Sequence, residues 1–243
     1  MTTSTRGASC PHTPSPNGRA DDGEAAAGAQ RGSLDSVATS LSRAPLRRLP
    51  AQQRSMVRVQ RMLDACAELL DEGGYSDLST TRIAERAGVA IGSVYQFFPD
   101  KRAITQALGL RYLDLFTARV RERLATGDHG HWTGAADAII DEYLEMHRTV
   151  PGFRSLHFGD VVDTRLLDSA IENNRVIATR IRHLLTSVGG AGESEGLDRA
   201  VTVAVEAADA VLKLAFRSDA DGDPRLIEEA KILLRNYLGH HFG

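Results

Sequence analysis

Residues 83–101 read IAERAGVAIGSVYQFFPDK, and the organisation of the chain can be worked out from this stretch. Two short helical patterns flank Gly88-Val89-Ala90. Ile83, Ala84 and Ala87 give the first an apolar side, and Ser79 upstream offers an oxygen to cap its start. Gly88 accepts the backbone a tight turn requires, and Val89 is placed to fill the space between the two helices. The second pattern runs from about Ile91 to Phe97 and is broken at Pro99-Asp100, where Asp100 can cap a further helix starting at Lys101. Two short helices joined this way form a helix-turn-helix, whose second helix is laid across the major groove of DNA.

The second helix carries a surface suited to that task. Val94 and Phe98, four apart, pack inward, which leaves Ile91, Gly92, Ser93, Tyr95, Gln96 and Phe97 around the other sides. Gly92 lets the backbone approach the duplex. Ser93 can donate to a phosphate, and Tyr95 offers a ring for sugar or thymine methyl and a hydroxyl for phosphate. Gln96 matches the donor–acceptor pair of adenine. Lys101, at the start of the next helix, is expected to meet phosphate together with the free amides there. Ser79 completes the expected DNA-facing set.

Working outward, helical spacing continues on both sides. Upstream, Met56, Val59, Leu63, Ala67 and Leu70 recur at three- and four-residue steps, widened by Cys66 and Leu69, until Gly73-Gly74 stops the helix. Downstream, the helix starting at Lys101 carries Ile104, Leu108, Leu113 and Val120 towards Leu124. Polar residues 127–130 follow, and further helical patterns cover about 135–149, 164–188, 197–217 and 224–241. No alternating β-branched run bounded by hairpin turns is present, so the chain reads as all-α. Residues 1–45, rich in Gly, Ala, Ser, Pro and Asp, read as a disordered tail. Its basic end, Arg43, Arg47 and Arg48, admits two readings, an arm on DNA or a solubilising linker. The expected division is a tail over 1–45, a DNA-binding domain over 46–107 and a larger helical domain over 108–243.

Composition narrows the function classes. The 243 residues are 42% hydrophobic and 25% charged, ordinary for a chain with a real core. The net charge of −3 is unevenly spread: −1 over residues 1–42, +3 over 43–102 and −5 over 103–243. A basic segment on an acidic body suits a protein presenting one face to phosphates. Cys10 and Cys66 form neither a disulfide framework nor a zinc spacing. Met1 to Cys10 holds no apolar run of the kind a secretory signal needs, and no run approaches membrane-spanning length, so no membrane partner and a cytoplasmic location are expected. His-Glu-x-x-His, Gly-x-Ser-x-Gly and the Gly-rich phosphate loop are all absent. Glu-x-x-His is missing too, since Leu144, Arg154 and Arg180 stand three before His147, His157 and His183. No catalytic residue, metal site or cofactor is expected.

The segment from about Arg54 to Ala107 resembles the DNA-binding domain of the TetR family of repressors. The resemblance rests on Ile83-Ala84-Glu85-Arg86-Ala87-Gly88-Val89, on Tyr95-Gln96-Phe97-Phe98 and on Lys101. It departs at Ala90, where many relatives place a Ser or Thr cap. The resemblance implies a repressor, not an enzyme. It implies a homodimer on a near-palindromic operator in double-stranded DNA, released when a small molecule enters the C-terminal domain and displaces the helix starting at Lys101. In that family the last two helices pair with their copies. Here Ala200, Val203, Ala204, Ala207, Ala208, Val211 and Ala215 put small residues on one, and Leu226, Ile227, Ala230, Leu233, Leu234, Tyr237 and Leu238 give the other an apolar face. A mostly apolar pocket with a few polar groups is expected between helices, with Trp132, Tyr143, Met146, His147, Phe153, Leu156, His157 and Phe158 as candidate liners. Two rivals remain: a ligand-independent activator or architectural DNA-binding factor, and an enzyme or carrier built on a helical bundle.

Overall fold

Helix formation follows the apolar spacing nearly residue for residue. The computed structural model describes residues 46–47, 53–126, 132–156, 177–186, 196–217 and 219–242. They form α1 (Gln53–Gly73), α2 (Thr80–Ala87), α3 (Ile91–Phe97), α4 (Lys101–Thr126), α5 (Trp132–Thr149), a 3-10 turn (Phe153–Ser155), a helical stretch α6 over 177–186, α7 (Leu197–Phe216) and α8 (Pro224–Phe242). No strand occurs among the described residues. The expectations for the tail up to residue 45, the polar loop 127–130 and the helical pattern over 164–176 lie outside them.

The first four helices close around one core. Val59, Met62, Leu63, Cys66 and Leu70 of α1 meet Ile83 of α2, Val94 of α3 and Ile104 and Leu108 of α4, all buried. Burial pushes the Cys66 thiol up to about 12, so this cysteine acts as a small apolar side chain. Ser79 accepts from Arg82 N at 3.2 Å and caps α2, and Asp100 Oδ1 accepts from Ala103 N at 2.9 Å and caps α4. Arg86 reaches back from α2 to Glu68 and Glu72 of α1, at 2.8–3.0 Å, and so fixes the angle between the two helices.

α4 joins this group to the rest of the molecule. Its 26 residues extend about 39 Å at 1.5 Å per residue. α5 packs on α4, and α7 and α8 pack on each other and on α5. Ion pairs hold the layers: Glu142 of α5 sits buried between Arg119 and Arg123 of α4, Arg180 of α6 pairs with Asp114, and Arg235 of α8 grips Asp137 of α5 at 2.9 Å.

A second link runs through the turn after α5. Tyr112 donates to Pro151 O, Ser155 Oγ donates to Leu70 O at 3.0 Å, and Arg154 pairs with Asp71 at 3.2 Å. Gly152, at φ +69°, brings its backbone so near α1 that an added Cβ would stand 2.5 Å from Ala67 O. A glycine is required there for both reasons.

The small residues of α7 are used differently from the expectation. Ala200, Ala204 and Ala215 are buried within the chain's own core, so they are not available to a partner helix. The outward stripe is Val203, Ala207, Ala210 and Leu214, with Val203, Ala210 and Leu214 exposed.

Candidate nucleic-acid interface and effector cavity

The turn between α2 and α3 has the geometry its sequence requires. Gly88 adopts φ +63°, its N–H reaches the carbonyls of Ala84 and Glu85, and Val89 N donates to Ala84 O at 3.0 Å. Val89 packs against the core, as its position predicted. α3 then starts at Ala90, whose backbone is extended but whose side chain offers no cap.

Ile91, Gly92, Tyr95 and Gln96 are exposed along α3, with Ser93 half-buried beside them. A Cβ added to Gly92 would meet nothing within 4 Å, so the backbone there faces open space. The Tyr95 hydroxyl lies 3.1 Å from Thr80 Oγ1, which sets the phenol over the start of α2 next to Ser79. Arg47 N donates to Phe97 O at 2.9 Å, which brings the described end of the basic tail to the C-terminus of α3. Helical spacing does not single out Thr80, because its place beside Tyr95 depends on a contact between elements, whereas Arg47 belongs to the basic end of the tail that the sequence already marks.

Two residues of the expected DNA-facing set are placed differently. Phe97 is 3% exposed and belongs to the core with Val94 and Phe98, so its ring is removed from the DNA-facing set. Lys101 is half-buried. Its ammonium donates to Tyr75 O at 3.2 Å and Leu78 O at 3.0 Å and lies 4.4 Å from the Tyr75 ring centroid. A lysine has three donors, so two are committed to tying the α1–α2 connection to α4. One of the amides expected beside it, Ala103 N–H, is engaged by Asp100, which caps that end and adds a negative charge.

A cavity of about 90 Å³ lies between α4, α5, α6, α7 and α8. Its wall is made mainly of Phe116, Ile139, Ile140, Ile181, Val201 and Leu212, with Tyr143 and Asp209 as polar groups. Of the expected liners, Tyr143 reaches it. Trp132 is buried against Gly239 of α8, Met146 is buried in the core shared with the first helices, and the His147 ring stacks on Phe216 with centroids 3.6 Å apart. Phe153 packs edge-on to both Tyr112 and Tyr143, and Leu156 joins the same core without touching the cavity. His157 and Phe158 lie outside the described residues.

An all-helical chain with an exposed helix-turn-helix and a mostly apolar cavity between its later helices fits a class, the helix-turn-helix regulators. Residues 62–108 match the family described as bacterial regulatory proteins, tetR family, and residues 130–242 match the tetracyclin repressor-like C-terminal domain. A TetR-family transcriptional regulator from Streptomyces coelicolor is 46% identical, with 78% of this chain and all of that chain aligned at a TM-score of 0.68. The chain belongs to the TetR family of transcriptional regulators, which are DNA-binding proteins and not enzymes. It is similar over 71 residues, at 37% identity, to the transcriptional repressor KstR of Mycolicibacterium smegmatis, a match covering 29% of this chain and 35% of that protein. FadR from Bacillus subtilis, solved with stearoyl-CoA, shares the fold at 17% identity and a TM-score of 0.55, over 73% of this chain and 96% of that one. No described helix is long and apolar enough to cross a membrane.

Proposed function

We propose that this chain is a cytoplasmic homodimeric repressor that holds a near-palindromic operator and leaves it when a small molecule fills the cavity. Residues 46–107 form the DNA-binding unit and 108–243 the sensing and pairing unit. Ser79, Ile91, Gly92, Ser93, Tyr95 and Gln96 face the duplex, and the remaining donor of Lys101 is its one route to phosphate. The observation that carries the reading is that α4 belongs to both sites. Ile104 near its start packs beneath α3, and Phe116, about 18 Å further along, lines the cavity.

The coupling has a second strand. Tyr143 borders the cavity, its ring meets Phe153 edge-on at 5.6 Å, and the Phe153 turn is bound to the end of α1. A ligand pressing on Phe116 and Tyr143 therefore acts on both supports of the DNA-binding head. Operator half-sites stand about 34–36 Å apart, so a small tilt of each head breaks simultaneous fit. The exposed Val203 and Leu214 of α7, with Ile232 and Leu233 of α8, supply the surface for pairing.

The test is a titration of the full chain against a duplex selected from a random pool, with and without a compound that raises its melting temperature. Ligand that binds the native state stabilises it, and reciprocal coupling weakens DNA binding by a factor of about 5–150. Stabilising compounds that leave operator affinity unchanged would favour the ligand-independent factor.

A further inference from the structure

The cavity wall is nearly all hydrocarbon, and among the described residues Asp209 is the one charged side chain on it. Asp209 sits on α7 with 13% of its side chain exposed, and its Oδ2 pairs with Lys213 Nζ at 2.8 Å. Lys213 lies one helical turn further on and is not part of the wall. A carboxylate has about four lone-pair sites, so this pairing leaves acceptor capacity. The second polar group, Tyr143, is half-buried, and desolvation followed by the negative charge of Asp209 pushes its phenol above the usual range. The two groups share one electrostatic neighbourhood on an otherwise apolar wall, and the phenol stays protonated at neutral pH.

An arriving ligand meets hydrocarbon for its body and, for its polar end, a carboxylate that Lys213 engages through Oδ2. We infer that this cavity selects a compact apolar ligand whose polar end donates hydrogen bonds, an ammonium or a hydroxyl, and rejects carboxylates. The inference rests on the cavity being the effector site proposed above. An anion would have to sit against Asp209 with no cation among the described wall residues to receive it, the Lys213 ammonium being held by Asp209 outside the wall, in surroundings where like charges repel far more than in water. A donor head gains a charge-assisted hydrogen bond.

The matched probes are octylamine, octan-1-ol and octanoate, each titrated at submillimolar concentration into the full chain and read by melting temperature and calorimetry. Octylamine and octan-1-ol are expected to bind the wild-type protein, and octanoate at least about tenfold more weakly. Asp209→Asn should reduce octylamine affinity by about tenfold or more and alter octan-1-ol far less. Ile139→Trp, which fills the cavity, should abolish binding of both. Octanoate binding the wild-type chain as tightly as octylamine would overturn the selection while leaving the cavity an effector site, and so would unchanged octylamine affinity in Asp209→Asn. The wild-type comparison stands even if that variant folds poorly. Failure of all three probes to bind, or binding that survives Ile139→Trp, would remove the cavity as the effector site and the selection with it.

Discussion

The outer face of α3 and the outer face of the α7–α8 pair expose large apolar side chains to the same degree. Ile91 and Tyr95 are 40% and 44% exposed, and Val203, Leu214, Ile232 and Leu233 are 44%, 44%, 40% and 42% exposed. What surrounds them differs. Beside Tyr95 and Ile91 stand Gly92, Gln96, Ser93 and Thr80, groups that close on a backbone or exchange hydrogen bonds. On α7 Val203, Ala207, Ala210 and Leu214 line up over three turns, with the exposed Glu206 as a charged neighbour between Val203 and Ala210. Exposure of a single apolar residue says little. A continuous stripe points to a protein partner, whereas isolated rings among small polar groups suit a duplex.

The largest effect that can break this comparison is on the stripe. Val203→Glu with Leu214→Glu places unpaired charges where a partner helix would cover them, at a cost of several kcal/mol. Sedimentation should show the mass halved, and operator affinity should fall about a hundredfold or more because each head is left with one half-site. The melting profile of the monomer should retain a cooperative transition, since both side chains are exposed in the single chain. A double variant that remains a dimer would move the pairing surface elsewhere.

The two regions were also unequally legible in the sequence. α2, α3 and the turn between them were readable because Ser79, Gly88 and Pro99 each mark a boundary by local chemistry. Phe97 was misplaced for a reason that follows from length. On a seven-residue helix Val94, Phe97 and Phe98 are all within reach of the core, and periodicity cannot rank three inward candidates over two turns. Lys101 illustrates another limit. Its charge pointed to phosphate, but its partners Tyr75 O and Leu78 O come from a connection 23–26 residues earlier in the chain. The cavity was hardest. Aromatic and histidine residues were expected to line it, and Tyr143 does, yet Trp132, Met146, His147 and Phe153 are buried elsewhere, and the wall is made mainly of Ile, Val, Leu and Ala with Phe116. A cavity is where inward residues fail to meet, and residue type does not encode that failure.

A smaller effect separates reading from support within the DNA-binding head. Gln96→Ala should cost about 1–3 kcal/mol on operator, relax preference at one position per half-site, and leave random duplex unaffected. Lys101→Ala should lower affinity for every duplex. It should also lower the melting temperature, because two backbone carbonyls lose a charged donor worth about 1.5–3 kcal/mol. Titrations of both variants against operator, operator variants and random duplex at several salt concentrations give the answer. A uniform loss for Gln96→Ala would make it a phosphate contact and leave base reading to Ile91 and Tyr95.

The smallest effect compares the starts of the two helices in the motif. α2 has a side-chain cap, Ser79, whose oxygen accepts from Arg82 N. α3 has none, although Ala90 at φ −64° and ψ 141° already holds the extended backbone of a capping residue. Ser93 N is satisfied by Ala90 O at 2.8 Å, a tight one-turn bond rather than a side-chain cap. Ala90 is exposed, so a hydroxyl there displaces nothing from the core. Ala90→Ser should therefore stabilise the chain by about 0.5–1 kcal/mol, the low end of the range for such caps because one amide already has a partner. The check is the melting temperature together with hydrogen exchange at Gly92 and Ser93, which should slow while exchange in α1 stays unchanged. Stabilisation with slower exchange confined to α3 means that its first turn opens locally in the free protein. An unchanged melting temperature would mean that the Ser93–Ala90 bond already does the work of a cap, and the two helices would then differ in chemistry but not in firmness.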